Sequence, residues 1–311
     1  MAYSKIAQAA LGAVLFMSLL ATAQEASAAG GVPADWVGCD STCRARRANP
    51  KPDIVSPEVN KAGEITIRVY APKAATLGVG GLQSEVAPMT KGADGVWTYT
   101  SPPMKPGYHS YFVQIDGVDA YDPNNLWLVA GRQRFENVVE VLGGEEFARN
   151  DPAIPHGAIA EVFYRSPGLE FERRIRVYTP PGYGLKPETL PTLYLLHGGN
   201  GAEDEWGKLG RAGFILDKLI AQGKAKRMIM VMPDGYVADF RAPSGSPPDL
   251  LTADILRGII PTIEANYTVS KEPKDRAIAG LSRGASQTMP SPASIPAGST
   301  LLACSASRAL E

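Results

Sequence analysis

Two hydrophobic rhythms divide the chain. From about Asp53 to Leu142, apolar residues alternate with polar ones in short runs. Glu64–Tyr70 alternates, Gly95–Tyr99 is aromatic and β-branched, and Tyr108–Ile115 alternates again before an Asp116-Gly117 turn. Period-two runs broken by turn residues predict short strands, and their spacing predicts a small β-sandwich over residues 53–142. After His156 the rhythm changes. Arg174–Tyr178, Thr192–Leu196 and Met228–Met232 read as strands, the last two almost wholly apolar, and Phe214–Gln222 has helical periodicity. A helix over Asp249–Asn266 and a strand over Arg276–Ala279 follow. Apolar strands alternating with helices predict an α/β domain built on a mostly parallel sheet buried on both faces. Between the two patterns, residues 143–155 lose all alternation and carry Gly, Pro and acidic residues, as a linker does.

The N-terminus follows neither rhythm. Lys5, the apolar run Ala9–Leu20 and the small residues Ala26-Ser27-Ala28 have the order of a signal peptide, so residues 1–28 are expected to be removed and the protein to be secreted or periplasmic. The apolar run is short for a membrane span, and no membrane association is expected after cleavage. With 31 basic and 32 acidic side chains, the formal charge of −1 argues against nucleic acid or another polyanion as a partner. An oxidising compartment leaves a local Cys39–Cys43 disulfide open, and no histidine stands nearby to make those cysteines a zinc site. No metal or organic cofactor is implied.

The residues that carry chemistry are Gly280-Leu281-Ser282-Arg283-Gly284, directly after the strand at Arg276–Ala279. A strand running into Gly-x-Ser-x-Gly is the pattern of a nucleophile elbow, whose turn is too tight for side chains at the flanking positions. Ser282 is the expected nucleophile, with Gly280 and Gly284 as the elbow glycines. A second Gly-rich run, His197–Gly201, follows the apolar strand that ends at Leu196. In an α/β-hydrolase such a loop supplies one oxyanion-hole N–H, from Gly198 or Gly199, and the residue after the nucleophile, Arg283, supplies the other. His197 is read as fixing that loop and not as the base.

These runs resemble a bacterial esterase family that includes esterase D-like proteins, feruloyl and acetyl xylan esterases and the enterochelin esterases. The matching segments are Arg174–Tyr183, Leu193–Gly199, Glu205-Trp206, Ile215–Asp217, Val231–Gly235, Ile259–Pro261 with Ile263-Glu264, and Ala279–Ser282. The resemblance covers residues 156–288 and implies a secreted carboxylic ester hydrolase acting on polysaccharide-linked or similar small esters, siderophore esters included. Upstream, Arg68–Pro72, Asp94–Trp97, Lys105–Tyr108 and Asp122–Asn124 resemble early-set immunoglobulin-like modules related to glycogen-binding domains. Such a module is a scaffold or a glycan-binding unit, with Trp97 and Trp127 as ring candidates for sugar or as core residues.

Two departures from the family stand out. Ala285 replaces the glycine that usually follows Gly284, a change expected to crowd the elbow helix against the sheet without abolishing activity. More severely, residues 283–311 contain no histidine, and their one acidic residue is Glu311. The triad order of this fold requires an acid and then a histidine after the serine. Residues 289–311 also have no helical period, and are expected to leave the strand beside Ser282 with a bare edge and exposed apolar surface. A shift of reading frame near Met289 would explain the change. The residues therefore imply an esterase that is inactive as written, or a non-catalytic, secreted glycan-binding protein.

Overall fold

The computed structural model describes residues 53–143, 148–167, 169, 171–237, 248–288 and 300–304. The signal peptide, Cys39, Cys43, part of the expected linker, and residues 289–299 and 305–311 lie outside the described residues. From Asp53 onward the chain forms one compact unit.

Residues 58–141 make two sheets. Strands β1 (Glu58–Val59), β2 (Ile65–Tyr70), β5 (Thr90–Lys91) and β6 (Val96–Thr100) form one, in the order β1-β2-β6-β5. The other has the order β4-β3-β7-β10-β9, from β3 (Leu77–Gly80), β4 (Ala87–Pro88), β7 (Gly107–Ile115), β9 (Leu128–Ala130) and β10 (Phe135–Val141), with β8 (Val118–Ala120) paired to β7. The alternation read over Glu64–Tyr70 is realised directly: Ile65, Ile67 and Val69 are buried while Thr66, Arg68 and Tyr70 are not. They join Val79, Tyr111, Val113, Val139 and Val141 of the second sheet in one apolar core. The Asp122-Pro-Asn124 run has a structural reason. Asp122 is fully buried and accepts from the hydroxyls of Tyr111 at 2.9 Å and Ser56 at 2.6 Å, while its N–H donates to Asn137 at 2.6 Å. A buried carboxylate is tolerable only with such partners.

Trp97 belongs to this core. It is buried and its indole N–H donates to the Ala71 carbonyl at 2.9 Å. Trp127 meets the Tyr108 ring edge-on at 5.5 Å and the Arg211 guanidinium at 5.4 Å. Both rings already have intramolecular partners.

The third sheet has the order β11-β12-β14-β13-β15-β16, from β11 (Ala158–Arg165), β12 (Glu172–Thr179), β13 (Thr192–Leu196), β14 (Ile229–Pro233), β15 (Arg276–Leu281) and β16 (Thr300–Cys304). β11, β12 and β14 are antiparallel neighbours, while β14-β13-β15-β16 are parallel. Strand β14 shows why its sequence is apolar at every position. Ile229 and Val231 join a core with Ile259 and Ile263 on one face, and Met230 and Met232 join Tyr178 and Leu216 on the other. The faces are covered by α1 (Glu205–Lys208) with α2 (Ala212–Ala221), and by α3 (Pro248–Asp254) with α4 (Ile260–Asn266). The helix read as continuous over Asp249–Asn266 contains a π turn at Ile255–Ile259, just before Pro261, whose missing N–H leaves the regular ladder one donor short.

The expectation of a bare edge beside the strand that leads to Ser282 is overturned. Thr300–Cys304 runs parallel to β15, pairing Ala277 with Thr300 through to Leu281 with Cys304. A five-residue apolar segment needs no helical period to supply a strand, and the edge it covers is the one with unpaired backbone groups to satisfy.

Candidate active site

Ser282 stands between β15 and α5 (Arg283–Thr288), with φ at +50°. A non-glycine residue in the left-handed region costs of order 1 kcal/mol and persists only where its surroundings hold it. The glycines around it show what holds it. A Cβ on Gly280 would come within 2.3 Å of the Gly284 carbonyl carbon, and one on Gly284 within 2.5 Å of the His197 carbonyl oxygen and 2.7 Å of that of Leu196. Backbone therefore packs on backbone on both sides of the serine. Ala285 is buried within α5.

The loop after β13 meets this elbow. His197 is buried. Its Nε2 accepts the Gly235 N–H at 2.9 Å and lies 3.2 Å from Asp234 Oδ1, and its Nδ1 lies 2.8 Å from the Gly198 carbonyl. A carbonyl accepts only, so the proton sits on Nδ1, and Nε2 is already occupied by a backbone donor. The imidazole is a clamp between two loops, as its sequence context suggests. Gly201 is held tightly: a Cβ there would overlap Glu205 Oε2 at 1.5 Å. Gly198 and Gly199 are different. A Cβ on Gly198 would make ordinary contact with Leu281 at 3.4 Å, and one on Gly199 would meet nothing within 4 Å. Gly199 borders open space.

That space is a cavity of about 680 Å³ lined by Ser282, Leu281, Gly198, Gly199, Asn200, Gly201 and Glu205 on one side. On the other lie Gly80–Gly81, Gln83–Val86, Phe112, Val129–Gly131, Arg134 and Glu136, all from the strands and loops of the second sheet. The wall facing the serine is thus contributed by the N-terminal half. The two halves are tied beside it: Arg132 N–H donates to the Asn200 carbonyl at 2.9 Å, and Ala130 N–H to Asp204 Oδ1 at 3.2 Å.

Tyr236 is the residue that sequence reasoning missed. Its hydroxyl accepts the Asn200 N–H at 3.0 Å, its ring lies 5.5 Å from that of His197, and the Arg132 and Arg283 guanidinium groups each lie 4.4 Å from the ring centre. It therefore touches the Gly-rich loop, the residue after Ser282 and the N-terminal half at once. The only signal in the sequence was its position one residue beyond the Val231–Gly235 match. The Glu205-Trp206 match also gains a reason, since Trp206 donates its indole N–H to the Leu196 carbonyl at 3.0 Å. Burial pushes the Glu205 carboxyl above its ordinary value, opposed by the neighbouring His197.

The sequence contains three histidines, and the other two are also engaged away from Ser282. His156 binds Asp217 Oδ2 at 2.9 Å and the Asp151 carbonyl at 2.9 Å, and His109 reaches the Lys105 carbonyl at 2.7 Å. Among the described residues no group of three or more His, Cys, Asp or Glu side chains is placed to hold a metal ion, and no helix is long and apolar enough to cross a membrane.

An elbow serine at positive φ beside a Gly-rich loop is a constellation of hydrolases, and residues 166–293 match the family model described as "Putative esterase". That segment is an esterase-family domain. The chain is 37% identical over 249 residues to an endo-1,4-beta-xylanase/feruloyl esterase of Xylanibacter ruminicola, covering 75% of this chain and 33% of that protein. An esterase of Mycobacterium tuberculosis is 30% identical over 125 residues, 39% of this chain and 26% of the relative. The chain thus spans a third or less of the length of these curated relatives. In fold, the chain is similar to the enterobactin esterase of Shigella flexneri, with a TM-score of 0.54 at 17% identity over 72% of this chain and 66% of that one.

Proposed function

We propose that the protein is a secreted carboxylic ester hydrolase acting on esters attached to polysaccharide, with Ser282 as its nucleophile. The observation that carries this reading is the strained elbow serine opening into a cavity beside the loop at Gly198 and Gly199. In the reaction, Ser282 Oγ bonds to the acyl carbon as its proton passes to a base. The developing oxyanion is held by an N–H of the Gly198-Gly199 segment and by that of Arg283, and the alcohol leaves with a proton. Water then releases the acid by the reverse sequence. The polysaccharide substrate class is supported by the xylanase/feruloyl esterase relative, and the two upstream sheets are read as an early-set immunoglobulin-like module.

His109, His156 and His197 are each bound elsewhere, so the 311 residues as written are expected not to turn over. That observation favours a second reading, a non-catalytic protein that binds glycan. Hydrolysis of para-nitrophenyl acetate and a methyl hydroxycinnamate, by the 311-residue chain and by a form with the reading frame restored after Thr288, separates them. Turnover by the restored form that disappears on Ser282→Ala supports the hydrolase. Absence of turnover in both forms favours the binding protein.

A further inference from the structure

The cavity at Ser282 continues into a second one. Ala130, Gly131, Arg134 and Gly201 line both, and the second, of about 910 Å³, runs on past Arg132, Phe135, Phe163, Phe171, Arg174, Glu203 and Tyr236. Three phenylalanine rings face this groove from separate places: Phe135 at the start of β10, and Phe163 and Phe171 from the two sides of the β11–β12 hairpin. They are 56%, 57% and 44% exposed. Single exposed hydrophobic residues are ordinary, but three rings converging on one groove that leads to a nucleophile are a binding feature. Phe163 pairs across the hairpin with Arg174, so a ring and a guanidinium share one face.

Three of the four arginines that line the groove are paired with carboxylates, and the fourth, Arg132, lies against the Tyr236 ring. Arg174 is paired with Glu203, Arg134 with Asp119 at 2.8 Å and Glu136 at 3.3 Å, and Arg173 lies 3.5 Å from Asp254. A groove whose cations are mostly neutralised in this way does not favour a polyanion. It offers flat apolar rings with fixed hydrogen-bonding groups around them. A pyranose ring is complementary to that arrangement, presenting an apolar C–H face to a phenyl ring and equatorial hydroxyls to guanidinium and carboxylate groups.

We propose that this groove binds an uncharged oligosaccharide chain, the alcohol side of the ester whose acyl carbon reaches Ser282. The inference rests on the esterase reading and moves the sugar contact from Trp97 and Trp127 to the rings of Phe135, Phe163 and Phe171. Continuity with the Ser282 cavity decides the occupant, since an ester linked to a polysaccharide needs room for both of its halves.

The test is calorimetric titration of xylohexaose into the 311-residue chain, a binding measurement that does not depend on turnover. Phe135→Ala, Phe163→Ala and Phe171→Ala are made singly and together, with Leu185→Ala as an exposed apolar control outside the groove. Binding by the parent chain and the control, weakened about tenfold or more in the triple variant, is the expected result. No binding by the parent chain, or equal binding by the triple variant, overturns the proposal. So does self-association that the triple substitution abolishes without any oligosaccharide binding, because the rings then meet a second copy of the chain. Turnover of para-nitrophenyl acetate, too small to need the groove, by the form with the reading frame restored after Thr288 reports separately on the esterase reading.

Discussion

The carbonyl oxygen of His197 occupies the place a side chain on Gly284 would need, 2.5 Å from the position of its Cβ. The Gly-rich loop and the elbow helix therefore touch backbone to backbone, and the elbow glycine is as much a packing requirement of the loop as a requirement of the turn. Gly284→Ala forces two main-chain segments apart. The expected cost is about 1–3 kcal/mol of unfolding free energy, typical of overpacking in a rigid site. Urea denaturation checks it, and a variant as stable as the parent would show that the loop yields freely.

Ser282 holds φ at +50°, a conformation open to glycine and costly for any other residue. Ser282→Gly and Ser282→Ala both remove the hydroxyl, but only glycine removes the strain. The glycine variant is expected to be more stable than the alanine variant by about 1 kcal/mol, after the larger unfolded-state entropy of glycine is set against the relief. Thermal denaturation of the two side by side is the measurement. The reverse order of stabilities would mean that the elbow relaxes when the hydroxyl is lost.

The Tyr236 hydroxyl is the acceptor for the Asn200 N–H. Tyr236→Phe keeps the ring between its cationic neighbours and deletes that acceptor alone. The Asn200 amide is then expected to exchange with solvent deuterium about fivefold faster, the equivalent of one ordinary hydrogen bond of about 1 kcal/mol. Unchanged exchange at Asn200 would show that other contacts hold the loop.

Glu205 supplies a pH dependence. Its folded-state carboxyl titrates above the ordinary value near 4.5, chiefly because burial disfavours its charge. A raised folded value means that its contribution to stability is fully present below the unfolded value and is lost as pH rises through the folded one. Glu205→Gln, which cannot ionise, is therefore expected to gain on the parent chain between about pH 4 and about pH 7. Urea midpoints at the two pH values test this, and a constant difference between the proteins would remove Glu205 from the account.

The chain's linear pattern was enough to reveal what depends on neighbours in sequence. Alternation over Ile65–Tyr70 marks a half-buried strand because successive side chains fall on opposite faces, and the unbroken apolar run at Ile229–Pro233 marks one buried twice. The elbow was legible for the same local reason, since Gly280, Ser282 and Gly284 lie within one turn.

What depends on distant segments meeting was decided by the tertiary structure. Tyr236 gains importance only because folding brings Asn200, Arg283 and Arg132 to it, and no spacing in the sequence encodes that meeting. His197 could be read as a clamp, but only the folded chain shows which of its nitrogens is occupied and by what. The wall opposite Ser282 comes from strands more than a hundred residues earlier, so the shape of the cavity was invisible to local pattern. The pairing of Thr300–Cys304 with β15 was hidden likewise, because a strand's partner is chosen by the unsatisfied backbone groups of an edge and not by its own side chains.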